Sequence, residues 1–203
     1  MAEHDNVEVD DDNYNNNNEW NTGRAVCIHG GVGRESTTIA NRQNINSKFE
    51  FTNIKCISLD NKYAEFEYCF LKSINRTYKY GSVKVNFHQI PVKQFTINLA
   101  MYKRLNGYKP FLYNITVNGC RFLASIKSNP VATYFYDFIK PYTNLNHTCP
   151  YKHDILVEKV PTDFINHRLT KVLPFPEGDY LVHSIWIAAG VHRVELKVYG
   201  TLS

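Results

Sequence analysis

The sequence has no run of apolar residues approaching the roughly 18 to 20 that a membrane-crossing helix needs. One of its most apolar stretches, Ile185-Trp186-Ile187-Ala188-Ala189, is only strand-length. That excludes a chain threaded through a bilayer by helices. The signatures of common catalytic machinery are missing as well. There is no Gly-x-Ser-x-Gly turn to expose a nucleophile, no His-Glu-x-x-His helix to hold zinc, and no convincing pair of acids. His88, His147, His153, His167, His183 and His192 are scattered without metal-ligand spacing, and no two cysteines stand at the short separation of a zinc knuckle. His183, between Val182 and Ser184 in a strand, reads as a structural or surface histidine, and Asp137 as a solvent-facing acid rather than a buried base. Neither an enzyme nor a bound metal or other cofactor is expected.

Positive charge is absent from residues 1–20, which carry seven acids (Glu3, Asp5, Glu8, Asp10, Asp11, Asp12 and Glu19). Residues 44–203 carry 20 Lys and Arg against 11 Asp and Glu, a charge of +9, so the overall +4 conceals an acidic segment on a basic body. The run Asn13-Tyr14-Asn15-Asn16-Asn17-Asn18 has no apolar period and too little hydrophobic surface to offset its ordering entropy. Val26-Cys27-Ile28-His29-Gly30-Gly31-Val32-Gly33-Arg34-Glu35-Ser36-Thr37 imitates a phosphate-binding glycine loop. Arg34 and Glu35 stand where that loop needs Lys and a hydroxyl, and Glu35 would repel phosphate, so the stretch reads as an irregular loop. The first residues also lack the basic and apolar regions of a secretory signal. Residues 1–43 are therefore expected to be a disordered acidic, Asn-rich segment. Because the body carries the cysteine and sequon pattern of an exported protein, an atypical first exon in place of a signal is expected there.

What the sequence has in abundance is aromatic residues, 14% of the chain, with 14 Tyr and 12 Phe. Flat rings pack well on pleated surfaces, and from Ser47 onward alternation dominates. Phe49 and Phe51 alternate, and Ile54 and Cys56 resume after a one-residue offset that predicts a bulge. Ala64, Phe66, Tyr68 and Phe70 share one predicted face, Glu65, Glu67 and Cys69 the other. Val83, Val85 and Phe87 alternate with polar residues, as do Phe95, Ile97, Leu99 and Met101, and Phe111, Tyr113, Ile115 and Val117. Further strands are predicted at 155–157, 180–187 and 191–199. Asp60-Asn61, Asn106-Gly107, Asn118-Gly119 and Pro176-Glu177-Gly178-Asp179 supply turn chemistry. Asn129-Pro130 predicts a helix start, Val131, Tyr134, Phe135, Phe138 and Ile139 recur at helical spacing over about three turns, and Pro141 ends the run. A weaker helical stretch covers 163–171. About eight strands and one inserted α-helix predict an all-β, immunoglobulin-like two-sheet sandwich over residues 44–203.

Cys56, Cys69, Cys120 and Cys149 are an even set within this body, while Cys27 stands apart. Four cysteines permit three connectivities. The local solution joins Cys56 to Cys69, about one hairpin apart, and Cys120 to Cys149 across the base of the inserted helix. Three sequons, at Asn75, Asn114 and Asn146, support the same oxidising, secretory environment. The predicted localisation is extracellular.

Lys48-Phe49-Glu50-Phe51-Thr52-Asn53-Ile54-Lys55-Cys56, Asn118-Gly119-Cys120-Arg121-Phe122-Leu123, Asn144-Leu145-Asn146-His147-Thr148-Cys149-Pro150-Tyr151, Phe175-Pro176-Glu177-Gly178-Asp179-Tyr180 and Val198-Tyr199-Gly200 resemble an insect domain-of-unknown-function family, number 1091, over about residues 46–203. That family is similar to the ML (MD-2-related lipid-recognition) sandwiches and to the chemosensory CheB proteins. Its members normally begin with a signal peptide, unlike residues 1–43 here. The resemblance implies sheets that splay to admit an acyl chain, sterol or hydrocarbon. The predicted inward aromatics Phe66, Phe70, Phe87, Phe95, Phe111, Tyr113, Phe135, Phe138 and Trp186 are the candidate cavity set. Large apolar rings line dry pockets without needing polar partners. The expected function is a secreted, non-enzymatic binding protein for a hydrophobic small molecule or lipid, in a chemosensory or pheromone-related setting, with a membrane receptor as a further partner. The alternative is an extracellular interaction or adhesion module with a solid core. Nucleic acid is not an expected partner, because the basic residues are spread along alternating strand positions.

Overall fold

In the computed structural model, residues 47–76, 78–172 and 175–203 are described. The expectations for residues 1–43, Cys27 included, lie outside these residues. The strands are β1 (Phe49–Ser58), β2 (Ala64–Ser73), β3 (Lys79–Phe87), β4 (Thr96–Leu105), β5 (Gly107–Asn118), β6 (Ile155–Pro161), β7 (Gly178–Ala188) and β8 (Val191–Leu202). The helices are α1 (Gly119–Ala124), α2 (Pro130–Tyr136) and α3 (Thr162–His167). Strands in the order β1-β8-β7-β4-β5 form one sheet and β2-β3-β6 a second, and every paired neighbour is antiparallel. This is the two-layer all-β sandwich that the alternation predicts. No helix among the described residues is long and apolar enough to cross a membrane.

β1 and β2 are consecutive in sequence yet belong to different sheets. The expected hairpin around Asp60-Asn61 is instead a crossing between layers, in which Tyr63 and Ala64 donate their backbone N–H groups to the Asp60 carbonyl at 3.0 Å. The Asp60 carboxylate pairs with Arg193 at the start of β8, whose guanidinium also lies 4.1 Å from the centre of the Tyr63 ring.

Register shifts in β1 and β2 decide which of their side chains point inward. The shift between Phe51 and Asn53 is the bulge predicted in β1. The shift between Phe66 and Tyr68 has no counterpart in the alternation. An extra residue in one strand turns every later side chain to the opposite face. Beyond Glu67 it is therefore Cys69 and Leu71 that face the core with Ala64 and Phe66, while Tyr68 and Phe70 face outward.

The helices obey local chemistry. The Asn129 side chain accepts from the Ala132 N–H at 3.0 Å, and Pro130 stands at the first helical position, where its missing N–H goes unneeded. The helix runs about two turns rather than three, before a tight turn at Lys140–Tyr142. Asn118-Gly119, expected as a strand-to-strand turn, instead starts α1, with the Asn118 side chain accepting from the Arg121 N–H at 2.9 Å. The same short polar side chain serves turns and helix caps alike.

The facing sheets differ by two strands, and the shortfall over β5 is covered by α1 and α2. Phe122, Ala132 and Tyr136 are buried there against Ile115 and Val117. Two larger clusters fill the space between the sheets. One gathers Tyr63, Val83, Val85, Phe95, Tyr151, Ile155 and Val194, the other Phe49, Phe51, Met101, Val160, Ile165, Phe175, Tyr180 and Leu202.

Gly119 is the most tightly enclosed of the described glycines. A Cβ there would lie 2.0 Å from Cε2 of Phe95. That ring cannot retreat, because it is stacked on Trp186 at 5.7 Å and meets the edge of Tyr151 at 6.0 Å. Gly119→Ala should therefore destabilise the domain by about 2 to 3 kcal/mol. The expected readout is a lower urea midpoint at unchanged slope.

Candidate functional site

The two core clusters do not meet completely. Between them lies a cavity of about 310 Å³. Its wall on the five-stranded side includes Ile54 from β1, Ile97, Leu99 and Met101 from β4, Ile115 and Val117 from β5, Tyr180, Val182, Ser184 and Trp186 from β7, and Leu196 and Val198 from β8. Phe66, Leu71, Val83, Val85, Ile155 and Val157 line it from the three-stranded side. Phe122 and Leu123 of α1, and Ala132, Tyr134, Phe135 and Tyr136 of α2, close a third side, with Phe138 beyond α2 and Ile165 of α3. Period-two strands place these residues on one face of each sheet, and packing of the sheets turns those faces toward each other.

Of the nine candidate aromatics, Phe66, Phe95, Phe135, Phe138 and Trp186 line this cavity. Phe70 does not, since the β2 bulge turns it outward, where it is 39% exposed. Phe87 packs against Tyr63 at 6.2 Å and lines a separate void of about 20 Å³. Phe111 packs on Tyr180 at 5.7 Å and Tyr113 on Phe135 at 6.0 Å, both within the core but behind the cavity wall. Most of the lining is aliphatic. Ile97, Leu99 and Met101 carry a clear signal in the β4 alternation, although an aromatic criterion passes over them.

Polar atoms are few, and their partners differ. The Tyr136 hydroxyl donates to the Leu145 carbonyl at 2.7 Å, and that of Tyr180 to the Pro176 carbonyl. The Tyr134 hydroxyl is buried without a hydrogen-bond partner, and so is Nε of Arg168. Arg168 sits just beyond α3, with its guanidinium 3.4 Å from the Asp137 carboxylate and 5.1 Å from the centre of the Phe164 ring. Asp137, expected to face solvent, is thus the counter-ion of a partly buried arginine. His183 is half-buried, 2.8 Å from the Glu195 carboxylate.

Burial pushes the Tyr134 phenol up to about 12, with Tyr113 adding to the rise and the Arg168 charge opposing it. Burial also takes Tyr151 to about 12. An acid whose pKa is raised by folding stabilises the fold fully below its unfolded value, here about 10. That contribution is lost as pH rises from about 10 toward 12. Unfolding free energies from urea titrations across that window should fall, by about 1 to 2 kcal/mol per phenol at its upper end once solvent screening is allowed for. Tyr134→Phe should remove its share of the slope.

Two disulfides are present among the described residues, and both pack against the core cluster around Phe95 and Tyr151. Cys56 of β1 is joined to Cys69 of β2, with Cα atoms 6.2 Å apart, linking one sheet to the other. Cys120 of α1 is joined to Cys149 before β6, with Cα atoms 5.2 Å apart. Asn75, Asn114 and Asn146 are all exposed. Asn75 lies between β2 and β3, its side chain accepting from the Tyr78 N–H at 2.6 Å. Asn114 lies on the outer face of β5, beside Asn98. Among the described residues no group of three or more His, Cys, Asp or Glu could hold a metal ion. The fold does bring together His147 and His153, which sequence spacing leaves apart, with their Nε2 atoms 3.0 Å from each other.

Residues 97–182 match the profile of a family described as a protein of unknown function (DUF1091). The matched segment runs from β4 through β5, α1, α2, β6 and α3 into β7, and it supplies much of the cavity wall. No curated protein matches the chain significantly.

Proposed function

We propose that this domain is a secreted, non-enzymatic binding protein that holds one hydrophobic small molecule between its sheets. The observation that carries the reading is the cavity of about 310 Å³ walled almost entirely by apolar side chains. Cavities of this size and character take up apolar guests, and each methylene withdrawn from water contributes about 0.8 kcal/mol. At roughly 30 Å³ per water-sized group, the space suits a chain or ring system of about ten heavy atoms. The paired cysteines and the exposed sequon asparagines favour an oxidising, extracellular setting. The resemblance to ML-type lipid-recognition and chemosensory proteins favours a lipid, sterol or hydrocarbon guest and delivery to a membrane receptor.

The alternative, an extracellular interaction module, rests on the outer face of the three-stranded sheet. There the exposed Phe70 and Tyr78 and the partly buried Tyr68 form a chain of ring contacts between 5.8 and 6.4 Å through the buried ring of Tyr80.

Full-length protein secreted from cells should carry an apolar molecule detectable by native mass spectrometry. Once emptied, it should take up one equivalent of the dye N-phenyl-naphthylamine with a blue-shifted emission. Protein that arrives empty and leaves the dye dark would overturn the reading.

A further inference from the structure

The interior offers more than grease at one place. Three tyrosines line the cavity, and two of them spend their hydroxyls on backbone carbonyls. The third, Tyr134, is packed among Phe135, Phe138 and Phe175 with ring centroids between 4.9 and 6.3 Å, and its buried hydroxyl meets no acceptor. A buried donor left unmatched costs about 1 to 3 kcal/mol. The neighbouring Arg168 has a second unmatched buried donor, Nε. Its position is fixed by Asp137, one residue past the end of α2, at 3.4 Å, and by the Phe164 ring. Tyr134 shares a core cluster with Ile165 and Leu169, which also line the chamber, while Arg168 stands behind that wall and is not part of it.

The Arg168 Nε–H can be satisfied only by an acceptor, and the Tyr134 hydroxyl, which can also accept, is satisfied by the same kind of group. A saturated hydrocarbon offers none. A carboxylate would bring a full negative charge to an end where the guanidinium is already paired with Asp137, and burying an unpaired charge is expensive. A neutral carbonyl oxygen offers two lone pairs and no charge. Resting on the proposed small-molecule function, we infer that the guest is a medium-length neutral carbonyl compound (a ketone, aldehyde or ester) whose oxygen accepts from the Tyr134 hydroxyl at the Arg168 end of the cavity. A tyrosine phenol is protonated and able to donate at physiological pH, and burial here only widens that margin.

The test compares three guests of equal carbon number, decane, methyl octyl ketone and decanoate, as competitors of N-phenyl-naphthylamine on the full chain and on Tyr134→Phe. The variant should remain folded with an unchanged or higher melting temperature, since it deletes an orphan rather than a partnered group. The expected result is a three- to tenfold loss of ketone affinity in the variant, about the value of one hydrogen bond, with decane unaffected or slightly tighter. Decanoate should compete more weakly than the ketone on the parent chain. Ketone affinity that does not change in Tyr134→Phe overturns the inference and leaves the cavity reading standing. Decanoate binding tightest of the three overturns the choice of a neutral guest. Failure of all three to displace the dye, or failure of the dye itself to bind, overturns both.

Discussion

Ser184→Phe should abolish uptake of an apolar guest while leaving the domain at least as stable as before. Ser184 sits on β7, between Leu99 of β4 and Leu196 of β8 in register, and all three face the cavity. A benzene ring occupies a void of about 150 Å³, so the new phenyl would take roughly half of the 310 Å³ present. A guest of about ten methylene-sized groups would lose room for about half of them. That is about 4 kcal/mol of burial, or roughly a thousandfold in affinity. The same substitution discriminates between the two readings of the interior. In a hollow core the ring fills empty space and adds about 0.5 to 2 kcal/mol of stability. In an interlocked core it overpacks and removes about 1 to 3 kcal/mol. Dye titration and urea unfolding on one protein preparation therefore answer both questions, and a destabilised variant would favour the solid-core module.

Reducing both disulfides should remove about 6 to 7 kcal/mol from the stability of the domain. Closing the Cys56–Cys69 loop, with a sequence separation of 13, contributes about 3 kcal/mol in the chain-entropy treatment, and the Cys120–Cys149 loop, with a separation of 29, about 3.6. Native domains are stable by only about 5 to 15 kcal/mol in total, so the doubly reduced chain is expected to be largely unfolded at physiological temperature. The single pairs differ in what they protect. Replacing Cys56 and Cys69 by Ala releases the bond between the sheets, whereas replacing Cys120 and Cys149 frees α1 from the segment that precedes β6. Circular dichroism melts of the two double variants should both show a lowered midpoint. A variant that melts with the parent would mean that the native pairing adds nothing beyond packing.

The sandwich is legible in the sequence because its strands are long and one-sided. Ile97, Leu99 and Met101 alternate without interruption, and all three reach the cavity. The β1 bulge is legible too, since Ile54 and Cys56 shift phase visibly after Phe51. The β2 bulge is hidden because both faces of that strand carry rings. Phe66 and Phe70 satisfy a period of two equally well whether or not an extra residue intervenes, so only the pairing with β3 shows that Leu71 replaces Phe70 inside. The exchange of β1 and β2 between layers is likewise invisible, because turn chemistry at Asp60-Asn61 is the same for a hairpin and for a crossing. Within the site, periodicity locates the apolar wall but not its polar exception. Helical spacing places Tyr134 in a row of aromatics and goes no further. That its hydroxyl lacks a carbonyl, while those of Tyr136 and Tyr180 meet one at Leu145 and Pro176, depends on how the chain turns beside each ring, which spacing does not show. Arg168 gives no signal at all, since a lone arginine in a weak helical stretch is indistinguishable from a solvated one.

The walls around the hollow are of unequal strength. Strands on two sides are cross-braced by ladders of backbone hydrogen bonds, and to part them is to unfold the domain. The remaining side rests on two helices of one to two turns each, 6 and 7 residues long, which hold few such bonds of their own. Whatever enters or leaves does so fastest where local opening is cheapest. A guest held as proposed should therefore leave by way of α2, since Cys120–Cys149 ties α1 to the segment before β6.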